Sequence, residues 1–375
     1  MNFTSMKLDP AALAAIREVL DDTMYALVDF RLALEAPISP TGFPRAEQLG
    51  AVIARLDPST RAIFALLRLG QSVDAEGLEA SALGGAIDAL ARSGLIERRG
   101  DAWRTVDLLL VPIEGVYLFV STPPSYPTAT RPADVWFDLS SYVLAKALPS
   151  TLADESVLDL CCGSGVQGIL CATRGARSVL GLDINEGAVR LARINAALNR
   201  VAERTEFRVS DGVDALAQGE RFDLVICNTP YAPVTGGALT IERIGNRVLI
   251  DMIDSIPGAM TAKGRAILAA WRSAGLRGRT AQHDYLAARL AQAGLGTRAF
   301  VERAPDTREG VLKILAADAE AALGAEPAQI LAARAAELLA SAPIDGFYNQ
   351  LIRCERRVPE AQTFGLDLAP VGDSR

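Results

Sequence analysis

Short apolar segments alternate with amphipathic ones from Ser156 to about residue 300, and this alternation constrains the fold more than any other feature of the chain. The apolar segments SVLDLCC, SVLGLDI, TEFRVSD, FDLVICN and RAILAAW have the length and composition of buried strands. Helical patterns such as GVQGILCATRG and EGAVRLARINAALNRV lie between them. The alternation predicts an α/β, Rossmann-like doubly wound fold, in which helices cover both faces of a parallel sheet.

Each of the first four strands ends in a side chain that bears a carboxylate or an amide: Asp159, Asp183, Asp211 and Asn228. One such residue alone is typical of a helix cap or a turn. Four in order, each at the tip of an apolar strand, indicate a single ligand site, because ligands of open α/β sheets bind outside the carboxyl ends of the strands.

The turn after the first strand, DLCCGSGVQG, contains Gly163 and Gly165. Glycines at this place allow the backbone to approach a ligand closely and expose the amides of a helix N-terminus. The spacing differs from the G-x-G-x-x-G pattern of dinucleotide-binding turns. The acidic Asp159 also disfavours a phosphate, and a carboxylate suits a ligand that carries a cation.

Residues 150 to about 300 resemble a class I S-adenosylmethionine-dependent methyltransferase. The resemblance implies a glycine loop beside the methionine part of the cofactor, an acidic residue on the ribose and another near the adenine. The form DLCCGSG resembles glutamine methyltransferases of release factors and ribosomal proteins, and Cys161 stands where many members have a third glycine. The implied cofactor-binding residues are Asp159, Cys161, Gly163, Gly165, Asp183, Ile184, Asp211, Gly212 and Asn228.

The segment NTPY, residues 228–231, resembles the N-P-P-Y signature of methyltransferases that act on planar nitrogens. The resemblance implies a catalytic set of Asn228, Thr229, Pro230 and Tyr231. In this set the Asn228 oxygen and a backbone carbonyl accept the hydrogens of the nitrogen, and Tyr231 packs against the planar group. Thr229 departs from the signature, since it replaces the first proline.

The first hundred residues have helical periodicity, and a strand–turn–strand pattern around Arg99, Gly100 and Asp101 gives the outline of a winged helix. We predict that residues 1–130 form a mainly helical, winged-helix-like domain with a β connector. Residues 131–375 form the catalytic domain, with a helical insertion at about 307–342 and a last strand after it. An alternative places a strand at VLKILAA instead.

The presumed recognition segment from Ser81 to Arg104 has a small charge excess, and the chain as a whole carries −7 at pH 7. A nucleic acid is therefore disfavoured as a partner. The expected partners are a small molecule or a protein amide as substrate, and a second copy of the chain bound through the N-terminal domain.

The connector before the cofactor domain contains four residues that we expect to cover the site or to form a substrate wall: Tyr126, Trp136, Phe137 and Asp138. Packing between two domains is the alternative interpretation of these aromatic residues. His283, the only histidine, is expected at the surface or at a helix cap.

The five cysteines form no C-x-x-C pair, so no metal site is expected, and they indicate a reducing cytoplasm. The most apolar window, Val106 to Val120, is too short and too polar to span a bilayer, and the N-terminus lacks the pattern of a signal peptide.

Three functions are compatible with these patterns. The first is methyl transfer to a nitrogen of a small molecule or a protein amide. The second is an enzyme of the same fold that uses S-adenosylmethionine itself as substrate, closing a ring and releasing methylthioadenosine. The third, which charge disfavours, is a DNA-binding regulatory module.

Overall fold

The computed structural model describes residues 6–37, 43–130, 135, 137–230, 239, 243–244, 246–276, 284–302, 307–342, 344–356 and 362–366. Two compact units make up the chain, Met1–Ala215 and Leu216–Arg375. The first unit extends well beyond the connector at which the sequence predicts a boundary. The division into residues 1–130 and 131–375 stays a prediction.

The N-terminal helices are α1 (Pro10–Asp22), α2 (Tyr25–Ala33), α3 (Ala46–Ile53), α4 (Pro58–Leu69), α5 (Ala75–Glu79) and α6 (Ile87–Arg92). The break between α1 and α2 lies at Met24, which adopts a left-handed φ of 50°. The segment PSTRAIFALLRLG predicts a helix that begins with a cap at Ser59 or Thr60 and ends at Gly70. Helix α4 does end at Gly70, which has a φ of 65°. Its N-cap is Asp57, whose Oδ1 accepts the Thr60 N–H, so the cap predicted at Ser59 or Thr60 is wrong.

The first strands are β1 (Val73–Asp74), β2 (Ile96–Arg99), β3 (Ala102–Thr105), β4 (Leu108–Ile113) and β5 (Val116–Ser121). Strands β1, β3 and β2 form an antiparallel sheet in that order, and β4 and β5 form a hairpin. The segment EGLEASALGGAIDALARSG predicts one helix that ends at Gly94, whereas the structure has α5 and α6 there, separated by a 3-10 turn at Gly84–Ala86. The winged-helix label stays a prediction.

The arginines of the presumed recognition segment each lie near a carboxylate of the same chain. The pairs are Arg92–Asp9 at 3.9 Å, Arg98–Asp101 at 3.2 Å, Arg99–Glu97 at 2.8 Å and Arg104–Glu97 at 2.7 Å. These carboxylates offset the positive charge that a nucleic-acid partner would need.

The rest of the first unit contains α7 (Leu139–Ala147), β6 (Ser156–Leu160), α8 (Val166–Thr173), β7 (Ser178–Asp183), α9 (Glu186–Leu198) and β8 (Thr205–Val209). Strand β7 pairs in parallel with both β6 and β8. Every residue of β6 is buried. The predicted alternation of buried parallel strands and helices is confirmed here.

The second unit contains β9 (Phe222–Asn228), α10 (Arg247–Met252), α11 (Ile256–Ala259), β10 (Met260–Leu276), α12 (Asp284–Gln292), β11 (Gly296–Glu302), α13 (Arg308–Leu323), α14 (Ala325–Ser341), β12 (Ile344–Glu355) and β13 (Gln362–Leu366). Strands β9 and β10 are parallel, whereas β12 is antiparallel to both β10 and β11. The sheet is therefore mixed rather than wholly parallel.

Helices α13 and α14 lie where the sequence predicts a helical insertion near 307–342, and their place in a catalytic domain stays a prediction. The alternative strand at VLKILAA is wrong because that segment lies within α13. Val311 and Leu315 of α13 pack with Leu339 of α14 and with Phe347 of β12 in one buried cluster. Burial of this apolar face against the sheet explains why the segment is helical, with the period of a helix rather than of a strand.

Candidate functional site

The loop between β6 and α8 is shaped by three residues with left-handed backbone. The φ angles are 56° at Cys161, 53° at Gly163 and 81° at Gly165, and Gly165 is the N-cap of α8. Glycine adopts this conformation readily, whereas an L-residue such as Cys161 does so at a cost of about 1 kcal/mol. The loop therefore turns sharply from the strand into the helix and leaves the first amides of α8 available.

Position 165 requires glycine because of the limited space around its Cα atom as well as because of its left-handed backbone. A Cβ atom at this position would lie 3.0 Å from the Ala192 Cβ, 3.1 Å from the Ile169 Cδ1 and 3.2 Å from the Phe207 Cε1. These side chains belong to α9, α8 and β8, so the turn is closely packed from three sides. Any larger residue would displace the loop.

Asp159 lies in β6 with its side chain fully buried. Its Oδ2 accepts the Gly168 N–H of α8 at 2.8 Å, and its Oδ1 has no hydrogen-bond partner. Burial raises the pKa of this carboxyl to about 7; the Gly168 N–H partly offsets the rise, and the charge of Asp183 adds to it. A buried carboxylate with an unused oxygen is stabilised by a cationic ligand.

Asp183 ends β7 and is held in place by two backbone amides. Its Oδ2 accepts the Gly163 N–H at 2.8 Å, and its Oδ1 accepts the Asn185 N–H at 2.9 Å. Burial raises the pKa of Asp183, and these two amides oppose the rise. Each oxygen retains a second lone pair, so the carboxylate can still accept the two hydroxyls of a ribose.

Two apolar side chains near these strand ends are exposed to solvent. Ile184, directly after Asp183, is 69% exposed, and Val209, in register with Asp183 on β8, is 50% exposed. They offer an apolar surface for a planar ring, and Val209 is a residue that the sequence reasoning missed.

The third strand tip is more open than the first two. Asp211 follows β8 and is exposed, and Gly212 adopts a left-handed φ of 54°. Ser210 fixes this bend, because its backbone N–H donates to the Asp183 carbonyl at 2.9 Å and its hydroxyl accepts the Ala215 N–H at 3.0 Å. The first unit thus brings the predicted residues of strands one to three to neighbouring strand ends.

In the second unit, β9 ends at the fourth predicted tip. Leu224 to Cys227 are fully buried, Asn228 is half-buried, Thr229 is buried and Pro230 is exposed. The strand ends at Asn228, where the sequence predicts its end, and the chain stays buried for one residue more. Tyr231 lies outside the described residues.

The connector residues are placed differently from one another. Tyr126 and Phe137 are buried, and the Tyr126 hydroxyl donates to the Pro44 carbonyl at 2.9 Å. Both rings meet Phe43 edge to face, at 6.0 and 5.8 Å between centroids. These contacts agree with the packing interpretation; Asp138 is the N-cap of α7, and Trp136 and His283 lie outside the described residues.

Gln167, in the first turn of α8, is a candidate that sequence reasoning missed. Its side chain is 2% exposed, and the Nε2 atom has no hydrogen-bond partner. A buried amide in this state has an unused donor beside the glycine loop. The available signal was a polar residue on the otherwise apolar helix GVQGILCA.

Within the described ranges, no three His, Cys, Asp or Glu side chains come together so that they could hold a metal ion. The cysteines there are free, and burial raises the pKa of the Cys162 thiol well above its usual value. No helix in the described part of the chain has the length and apolar character needed to cross a membrane.

Residues 133–273 match a family model described as the methyltransferase small domain. A candidate protein N5-glutamine methyltransferase of Methanocaldococcus jannaschii is 33% identical over 127 residues, covering 34% of this chain and 57% of that protein. A ribosomal protein L11 methyltransferase of Prochlorococcus marinus is 49% identical over 82 residues, covering 21% and 27%. The chain thus spans less than two thirds of the length of either relative.

Among solved structures, the ribosomal protein L11 methylase of Lactobacillus delbrueckii subsp. bulgaricus shares 15% identity, with a TM-score of 0.35. The match covers 58% of this chain and 78% of that one. The predicted α/β fold class is confirmed by the family match together with the observed order of strands and helices.

Proposed function

Because the chain belongs to the class I S-adenosylmethionine-dependent methyltransferases, we propose that it transfers a methyl group to a planar nitrogen, in a protein side-chain amide or in a small molecule. The observation that carries the proposal is the buried Asp159 with its unpartnered Oδ1, one strand away from the amide-held carboxylate of Asp183. The two carboxylates fit the two polar parts of the cofactor, its ammonium group and its ribose.

When bound, S-adenosylmethionine supplies a methyl group on a sulfonium, which is already activated toward a nucleophile. Asp159 would hold the ammonium group with its unused Oδ1, and the glycine loop would admit the methionine backbone. Asp183 would accept the ribose hydroxyls, and Ile184, Asp211 and Gly212 would surround the adenine. Since the methyl donor carries its own positive charge, the remaining task of the chain is to position and polarise the acceptor.

The NTPY segment would perform that task. The Asn228 side-chain oxygen and a loop carbonyl would accept the hydrogens of the acceptor nitrogen, whose lone pair is delocalised, and shift electron density toward the methyl group. Thr229, Pro230 and Tyr231 would shape the loop around the planar group. The end of β9 at the half-buried Asn228 supports this assignment.

A protein amide is the first acceptor to test. The M. jannaschii relative is named for N5-glutamine, an amide nitrogen of the kind that an N-P-P-Y loop receives. The Prochlorococcus relative is named for ribosomal protein L11, so both names describe protein substrates. A small-molecule nitrogen is the alternative acceptor.

The direct experiment incubates the purified chain with S-adenosylmethionine, alone and with glutamine-containing peptides, a ribosomal protein extract or small planar-nitrogen compounds. We expect S-adenosylhomocysteine, and an acceptor heavier by one methyl group in mass spectrometry, only when an acceptor is present. Methylthioadenosine released without an acceptor would establish the ring-closing reaction instead. Methylation on oxygen or carbon alone would also overturn the proposal.

Two variants separate binding from turnover. Asn228→Ala should abolish methyl transfer and keep cofactor affinity within about twofold, because the Asn228 side chain is assigned to the acceptor. Asp183→Ala should instead weaken cofactor binding, since it removes the ribose acceptor. Full turnover by Asn228→Ala would contradict the role given to this residue.

The proposed homodimer has a physical basis in α2. Leu27, Phe30 and Leu34 project along one side of this helix and are 60%, 61% and 60% exposed, and Met24 beside them is 60% exposed. An exposed apolar stripe of this kind is typical of an interface. Sedimentation of the wild type and of Phe30→Asp tests it: the variant should be monomeric, and an unchanged state would remove α2 from the interface.

A further inference from the structure

Two asparagines on one face of α9 are buried, one within the helix and the other at its C-cap. Asn195 and Asn199 are one helical turn apart, and their exposed fractions are 0% and 5%. Both amides are bonded on their oxygen and on their nitrogen. Polar groups that are buried and fully paired in this way hold neighbouring elements in one arrangement.

The two amides bind the free edge of β5. The Asn195 Oδ1 accepts the Phe119 N–H at 2.8 Å, and its Nδ2 donates to the Phe119 carbonyl at 2.9 Å. Asn199 does the same with Tyr117, at 2.9 and 2.7 Å. Among the described strands β5 pairs with β4, and the side chains of Asn195 and Asn199 bond its other edge as a neighbouring strand would.

Only one of the two asparagines also reaches the glycine loop. The Asn195 Nδ2 donates a second hydrogen bond, 2.9 Å long, to the Ser164 carbonyl. The corresponding second bond of Asn199 goes to the Asn195 carbonyl of its own helix, at 2.8 Å. The Asn199 Oδ1 additionally accepts from the Arg17 Nη1 at 3.1 Å. Asn195 therefore joins the hairpin to the loop, whereas Asn199 joins it only to helices.

Ser164 stands between the two glycines on which the loop depends. Gly163 before it donates its N–H to Asp183, and Gly165 after it is the left-handed N-cap of α8. A fixed Ser164 carbonyl restricts the peptide plane that it shares with Gly165. The bond from Asn195 therefore restrains the loop where it enters α8, one residue after the amide that binds Asp183.

We propose that Asn195 is a positioning residue that couples the β4–β5 hairpin to the glycine loop and thereby sets the affinity for the cofactor. The inference rests on the proposed function for its ligand, S-adenosylmethionine, while the coupling of hairpin and loop does not depend on it. The β4–β5 hairpin, which belongs to the N-terminal part of the chain, would thus contribute to cofactor binding, and the sequence of the hairpin gives no indication of this.

The test compares Asn195→Ala with Asn199→Ala. Each variant loses both bonds to β5, and Asn199→Ala loses one bond more in total, so its loss of thermal stability should be at least as large. Two further quantities are measured: the dissociation constant of S-adenosylmethionine by calorimetry, and hydrogen exchange by mass spectrometry in the peptide spanning residues 161–168. That peptide contains the bonded amides of Gly163, Gly165 and Gly168.

We expect Asn195→Ala to raise the dissociation constant about five- to tenfold, the size of one lost hydrogen bond, and to accelerate exchange in the loop peptide. Asn199→Ala should leave both at the wild-type level. Equal effects of the two variants on exchange would overturn the inference. A wild type that binds no S-adenosylmethionine, with the difference in exchange intact, would instead overturn the proposed function.

Should either alanine variant be insoluble, Asn195→Ser and Asn199→Ser provide the same comparison with a smaller loss of polar contact. The expected difference keeps its direction, because serine cannot reach Phe119 and Ser164 together. Loop exchange that is equal in both serine variants would again exclude a positioning role for Asn195.

Discussion

Cofactor affinity should depend on pH through Asp159. The folded-state pKa of this carboxyl is about 7, whereas the ordinary value is 3.8. If Asp159 holds the ammonium of S-adenosylmethionine, only its ionised form binds well. The ionised fraction falls from about three quarters at pH 7.5 to about one tenth at pH 6.0, so the dissociation constant should rise about eightfold, or ~1.2 kcal/mol.

The assay is isothermal titration calorimetry at both pH values, in two buffers that differ in ionisation enthalpy. Binding at pH 6.0 should release protons, because the ligand selects the carboxylate form. Asp159→Asn is the control: it should bind more weakly and with a dissociation constant that changes little between the two pH values. The amino group of the ligand titrates identically in both titrations, so the difference between the proteins isolates Asp159. A wild type without pH dependence beyond that of Asp159→Asn would refute the reasoning.

Ionisation of the Asp159 carboxyl, which favours cofactor binding, lowers the stability of the free protein. Its folded pKa lies above the unfolded value, so its contribution is fully favourable below about pH 4 and is lost as pH rises toward 7. At about 1.4 kcal/mol per pKa unit, the loss approaches ~4 kcal/mol at pH 8 as an upper bound. Asp159→Asn should therefore unfold at a higher temperature than the free wild type at pH 8, and saturating cofactor should reduce the difference.

Three further substitutions test the glycine loop and a buried ion pair of the N-terminal helices. Gly165→Ala should lower the free energy of unfolding by about 1–3 kcal/mol and abolish cofactor binding, because the new Cβ would lie 3.0 Å from the Ala192 Cβ in a left-handed backbone. Thermal unfolding measures the stability and calorimetry measures the binding. Unchanged binding would contradict the packing argument. Cys161→Gly should keep cofactor affinity and gain up to ~1 kcal/mol of stability, since a left-handed φ of 56° suits glycine; a marked loss of affinity would show that the thiol contacts the ligand. Arg68→Met should lower the free energy of unfolding by about 3–5 kcal/mol in denaturant titration, because it leaves the Asp29 carboxylate unpaired beside a side chain that is 2% exposed. Adding Asp29→Asn should recover part of this loss. Equal stability of the single and double variants would mean that the two residues are not coupled.

Local patterns were sufficient for the parallel part of the fold and for the strand tips. Buried strands such as SVLDL and the glycines after them carry their own signals, namely apolar runs and turn residues. The order of strands β10 to β13 in the second unit has no such local signal in the sequence. Strand β12 is antiparallel to both of its neighbours because α13 and α14 return the chain across the sheet, and pairing of this kind depends on contacts remote in sequence.

Backbone conformation was another source of error. Met24 interrupts an apolar periodicity that continues through it, and nothing in its residue type predicts a φ of 50°. Asn195 and Asn199 did carry a signal: they lie four residues apart on a buried and otherwise apolar face of α9 and its C-cap. Such a pair is costly unless its bonds are satisfied from outside the helix, so the pattern itself points to a neighbouring backbone edge.

The two departures from the methyltransferase signatures, Cys161 and Thr229, differ in their physical consequences. Cys161 replaces a glycine in a left-handed conformation, which costs about 1 kcal/mol and leaves the path of the loop intact, as the φ angles of Gly163 and Gly165 demonstrate. Thr229 replaces a proline and is buried, so it brings a backbone N–H and a hydroxyl into a loop where proline would bring neither. A buried donor must be satisfied, so Thr229 requires hydrogen bonds that a proline would not. We therefore expect acceptor choice to be more sensitive to substitution of Thr229 than cofactor binding is to substitution of Cys161.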